Sequence, residues 1–154
     1  MKNSGSSIVA IHACGFGKHS WSICPTARAR VNKAVELSLS YNIRDIIITG
    51  GVHYNPIENR FWLADIIKRD FIVRAKEASG KSANDFNFHI RVDCYNSSTD
   101  IQSIVRQAQK EYFTSILCVS SFWHQWILRP LSRYWLKKLD HQAHIHFVRL
   151  SPDP

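Results

Sequence analysis

At 154 residues and 45% hydrophobic, the chain is long and apolar enough for one globular domain with a real core. Twenty Lys and Arg against twelve Asp and Glu leave a net charge of +8, which favours anionic partners: phosphate-bearing metabolites, nucleic acid or an anionic membrane surface. The segment Met1–Ser7 is short and polar, and nothing in the chain resembles a signal peptide or a transmembrane helix, so a soluble, cytoplasmic protein is expected.

Ser7–His12 reads as a first strand, followed by Gly15-Phe16-Gly17. That Gly-x-Gly lacks a third glycine and opens no helix directly, so it is a weak dinucleotide signature. A loop containing Trp21 leads to Thr26, an expected N-cap, and a helix reaching about Tyr41 with Val31, Ala34 and Val35 on one face. Asp45-Ile46-Ile47-Ile48-Thr49 is a continuous apolar run ending in Gly50-Gly51. Such a run suits a strand of a parallel sheet covered on both faces, and the glycines allow close approach at its carboxyl end. Gly51–Asn55 is expected to be a loop. Asn55-Pro56 then reads as N-cap and first helical position, starting a long helix that turns Ile57, Phe61, Ala64 and Phe71 inward and fades before Gly80.

After a polar stretch, Phe88–Asp93 alternates more than the other strands, which suits a place near an edge. Thr99 and Gln102 have capping-box spacing for a helix with Ile101, Ile104, Val105 and Ala108 as its buried stripe. Ser115–Ser121 is a fourth strand. Phe122–Leu139 is expected to be helical with a break near Pro130, and Trp123, Trp126 and Trp135 to pack that helix onto the sheet. A last strand spans His144–Leu150, with His144 and His146 on the surface. The alternation of strands and helices predicts a three-layer α/β/α Rossmann-like sandwich with right-handed crossovers and a mainly parallel sheet of about five strands.

Each expected strand ends in small or polar residues: His12 to Gly15, Thr49 to Gly51, Asp93, and Ser120-Ser121 with His124. In a parallel sheet these ends share one rim, where helices begin and their free N–H groups favour an anion. Serine and threonine hydroxyls add neutral hydrogen bonds to phosphate or carboxylate oxygens. The expected ligand is therefore small and anionic or nucleotide-like. Arg30 would balance its charge. Thr49, Gly50, Gly51, Ser98, Ser120 and Ser121, with His12 and Gly15, would hold it, and Glu58, Asp93, Asp100 and His124 would orient polar groups or act as acid and base.

The ordered set Arg30 with Ala34, Ile47-Ile48-Thr49-Gly50-Gly51, Glu58, Asp93 with Ser98-Thr99-Asp100, and Val119-Ser120-Ser121-Phe122-Trp123-His124 resembles the YdcF/SanA/ElyC-type domain family over nearly the whole chain. The resemblance implies a Rossmann-like fold with a pocket. S-adenosylmethionine, bound by one member, becomes a candidate cofactor, whereas other members are tied to envelope and peptidoglycan-precursor biology. Two departures bear on the pocket. Ile127 stands where the family usually has an arginine, the next arginine being Arg129, and His12-Ala13-Cys14 replaces a run of small residues.

Plainer readings stand beside these. Gly50-Gly51 also suits a tight turn, Ser120 and Ser121 suit helix capping, and Glu58 and Asp100 suit first-turn carboxylates that favour the helix dipole. The elbow Gly-x-Ser-x-Gly is absent, which argues against serine-hydrolase chemistry. Cysteines 14, 24, 94 and 118 have no CxxC spacing, and with His12 and His19 they match no zinc pattern, so no metal is expected. A second functional class is a non-catalytic module whose basic surface binds nucleic acid or a protein partner.

Overall fold

The computed structural model describes residues 6–12, 24–50, 52–55, 59–92, 94 and 96–150. Strands β1 (Ser7–His12), β2 (Asp45–Thr49), β5 (Asn87–Arg91), β6 (Ser115–Ser120) and β7 (His144–Arg149) form one parallel sheet in the order β5-β2-β1-β6-β7. A separate antiparallel pair, β3 (Val52–Asn55) and β4 (Asn59–Trp62), follows β2. Helices α1 (Pro25–Ser40), α2 (Leu63–Ser79), α3 (Ser97–Lys110) and α4 (Phe122–Lys138) connect the sheet strands. Among the described residues no helix is long and apolar enough to cross a membrane.

Strand parity decides what each face buries. Val9, Ile11, Ile46, Ile48 and Val119 pack with Val31, Ala34, Ile67 and Phe71 of α1 and α2. The intervening residues Ile8, Ala10, Ile47 and Ile116 meet Ile104 and Ala108 of α3, and Cys118 packs with Ile101, Val105 and Leu128 between α3 and α4. Ile46, Ile47 and Ile48 are all fully buried, so neither face of β2 sees water. The two halves, β1-α1-β2-α2-β5 and β6-α4-β7, place their helices on opposite sides. The order therefore reverses between β1 and β6. In open α/β sheets the crevice at that reversal is where ligands bind.

Several boundaries differ from the sequence reading. The long second helix starts at Leu63, not at Pro56, because 59–62 pairs with 52–55, Tyr54 opposite Arg60 and His53 opposite Phe61. An X-Pro step favours extended backbone before it. Cys24, not Thr26, caps α1, accepting from the Ala27 N–H at 3.4 Å, with Pro25 at the first helical position. The capping box of α3 is Asn96 with Thr99, one turn before the expected pair. Helix α4 continues through Pro130, which is exposed. Trp123 and Trp126 face outward, whereas Trp135 alone of the three is partly buried. The edge position of β5 and the exposure of His144 and His146 agree with expectation.

Candidate functional site

The carboxyl ends of β1 and β6 carry the polar cluster, on the face covered by α3 and α4. His12, Thr49, Cys118 and Ser120 share the parity of Ile8, Ala10, Ile47 and Ile116, so the strands that bury isoleucine below present polar groups at the top. His12 is fully buried. Its Nε2 lies 3.1 Å from Cys118 Sγ, and its Nδ1 lies 3.4 Å from Thr49 Oγ1 and 3.5 Å from Asp100 Oδ2. Burial pushes this imidazole down, but the Cys118 sulfur and the Asp100 carboxylate outweigh it, and the pKa rises to about 9. That shift favours the protonated ring, paired with Cys118 and Asp100 beneath the rim.

His124, in the first turn of α4, stands edge-to-face with His12 at 5.5 Å between ring centroids. Its Nδ1 is 3.0 Å from Ser120 Oγ and its Nε2 2.8 Å from Ser97 Oγ. Burial, then the positive charges of His12 and Arg30, lower its pKa to about 4. A neutral ring donates from one nitrogen and accepts at the other, and two hydroxyls satisfy either tautomer. Burial first, and then the neighbouring cations, favour the neutral ring. The pKa values of two adjacent imidazoles are therefore shifted in opposite directions.

Arg30 reaches this crevice from α1 and is buried. Its Nη1 donates to His12 O at 2.9 Å and its Nη2 to Ser121 Oγ at 3.3 Å, while Nε has no partner among the described residues. Ser121 occupies the N-cap position of α4 yet makes no side-chain cap bond, because its hydroxyl serves Arg30 instead. The first N–H groups of α4 consequently lack a side-chain cap beside a buried guanidinium. The Ser97–His124 bond brings the N-terminus of α3 to the same place. Among the described residues the cluster sets Arg30 and His12 beside Asp100 and the Cys118 sulfur.

The remaining candidate residues divide. Ser98 is engaged by Trp135, whose Nε1 donates to its hydroxyl at 3.0 Å. Gly50 donates its N–H to Arg91 O at 3.0 Å, extending the β2–β5 ladder. Gly15, Gly51, Glu58 and Asp93 lie outside the described residues. Ile127 is exposed, and Arg129 hydrogen-bonds Gln125 and lies over the Phe147 ring, contacts that belong to the α4–β7 side. Ser97 and Cys118 were missed as site residues. Cys118 stands alone among apolar residues of β6, with no spacing to another cysteine that would mark it. Ser97 could have been found from Asn96-x-x-Thr99, which marks it as the first residue of α3. No family model matches the chain, and no curated protein matches it.

Proposed function

We propose that the carboxyl rim between β1 and β6 binds a small anionic or nucleotide-like molecule through a phosphate or carboxylate. The supporting observation is Arg30: a buried guanidinium with a free Nε and no carboxylate partner among the described residues, beside the uncapped start of α4. A buried cation without a counter-ion is costly, and a ligand anion would offset that cost. His12 lies under the same crevice with its pKa raised, but its charge is matched by Cys118 and Asp100, which leaves Arg30 as the main attraction for an anion. His12 itself is too buried to touch a ligand, so it tunes the field from below.

A general base works best with a pKa near the working pH, so an imidazole at about 4 suits hydrogen bonding better than proton abstraction. His124, held by the fully buried Ser120 and by Ser97, then orients the ligand's polar groups, and binding is the primary activity, any transformation of the ligand resting on Glu58, Asp93 and Asp100. The resemblance to the YdcF/SanA/ElyC-type domains adds S-adenosylmethionine to the ligands worth testing. Thermal-shift and calorimetric titrations with inorganic phosphate, nucleotides, phosphorylated sugars and S-adenosylmethionine test the reading. A ligand at 100 times its dissociation constant stabilises by about 2.7 kcal/mol. The expected result is stabilisation by at least one of these that Arg30→Gln abolishes. No stabilisation by any of them at millimolar concentration would refute it, as would tight, strongly salt-dependent binding of random DNA or RNA in place of small ligands.

A further inference from the structure

The first two turns of α4 carry a second feature that the rim site does not use. Phe122 (44% exposed), Trp123 (80%), Trp126 (68%) and Ile127 (54%) stand out from the surface together. The rings pack on each other, Phe122 edge-to-face with Trp123 at 5.9 Å and with Trp126 at 6.3 Å, so they form one knob. Behind the knob lies a cavity of about 340 Å³ between α4 and β7, lined by Phe122, Gln125, Trp126, Arg129, Phe147 and Arg149. Its guanidiniums sit over aromatic rings, Arg129 over Phe147 at 5.1 Å and Arg149 over Phe122 at 5.0 Å. Neither forms an ion pair with a carboxylate among the described residues.

We infer that this end of α4 docks the protein peripherally on an anionic membrane surface. The aromatic knob would enter the headgroup–acyl boundary, and Arg129 and Arg149 would take lipid phosphates. Tryptophan suits that boundary because its ring is apolar and its N–H wet. Shallow insertion of apolar side chains joined to basic ones gives reversible binding to anionic lipid.

Charge favours this occupant over the others. Helix α4 contains no Asp or Glu and carries Arg129, Arg133, Lys137 and Lys138, so a second copy packed against it would set like charges face to face. Single-stranded nucleic acid is held by base stacking, to which the exposed aliphatic Ile127 adds nothing, whereas the headgroup–acyl boundary takes rings and aliphatic side chains alike. The inference is independent of the rim ligand, since Trp123, Trp126, Arg129 and Arg149 make none of the bonds described there.

The test is co-sedimentation of the full chain with phosphatidylcholine vesicles and with vesicles containing about one quarter phosphatidylglycerol, with Trp fluorescence recorded in parallel. The wild type is expected to bind the anionic vesicles, with a blue-shifted emission, and to release as salt rises. Trp123→Ser/Trp126→Ser should weaken binding about tenfold or more with an unchanged melting temperature, because both rings are exposed. Arg129→Gln/Arg149→Gln should abolish the preference for phosphatidylglycerol. Three results would overturn the inference: no binding of wild type to anionic vesicles at about 1 mM lipid, equal binding by the Trp variant, or a dimer that the Trp variant dissolves.

Discussion

The opposed pKa shifts of His12 and His124 shape the pH dependence of stability. His12 has a folded pKa of about 9 against an ordinary value of 6.5. A raised histidine pKa means that the folded state binds its proton more tightly. The resulting stability is fully present below pH 6.5 and is lost as pH climbs from there through about 9. At 1.36 kcal/mol per unit the loss is about 3 kcal/mol, an upper figure, since part of the shift belongs to the coupled Cys118 thiol. His124 runs the other way. Its folded pKa of about 4 lies below the ordinary 6.5, so its contribution is present above pH 6.5 and is lost as pH falls toward 4. It is only half-buried, and solvent screening brings its limb down to roughly 1 to 2 kcal/mol. Stability should therefore peak near pH 6.5. Urea unfolding at half-unit steps from pH 4 to 10, with wild type, His12→Gln and His124→Gln side by side, reads each limb by difference, His12→Gln also easing part of the acid limb because the charge of His12 helps lower His124. His12→Gln should flatten the alkaline limb and His124→Gln the acid one. Asp100→Asn should make the alkaline limb shallower by removing one of the partners that raise His12. An alkaline decline that is the same in wild type and His12→Gln would refute the raised pKa of His12.

Other substitutions check the architecture and the site. His124→Gln at pH 7 should leave the melting temperature nearly unchanged and weaken binding of any ligand found at the rim about tenfold, the scale of one polar contact; unchanged affinity by calorimetry would reduce the ring to packing. Ile47→Ala removes a fully buried side chain between α3 and the sheet and should lower unfolding free energy by about 2 to 5 kcal/mol in urea melts. Asn96→Ala removes the hydroxyl-and-amide box that starts α3 and should lower stability by about 1 kcal/mol, whereas Asn96→Ser should recover most of it.

Much of the fold was legible in the residues themselves. The runs Ile8–Ile11, Ile46–Ile48 and Ile116–Val119 are too short for helices and too apolar for any strand with a wet face, so a covered parallel sheet was the available solution. The stripe Ile101, Ile104, Val105 and Ala108 marks α3 through its 3.6-residue period, and all four are buried. The strand ends also told where polar residues would gather. Local pattern was a poorer guide where competing signals overlapped. Asn55-Pro56 resembles a helix start, yet Val52–Asn55 and Asn59–Trp62 gain more by pairing with each other. Trp126 sits at helical spacing that suits either a core or a surface stripe, and only the position of β7 and α4 put it outside. Strand order was beyond local reading altogether. Which strand lies beside β1 depends on the crossover from β5 to β6, and that crossover sets His12 against Cys118, 106 residues away. From the same packing, α1 carries Arg30 to Ser121 and α3 carries Ser97 to His124. Those long-range contacts, not the residue types, drive His12 up and His124 down, because the energy of a charge depends on what surrounds it once water has been removed.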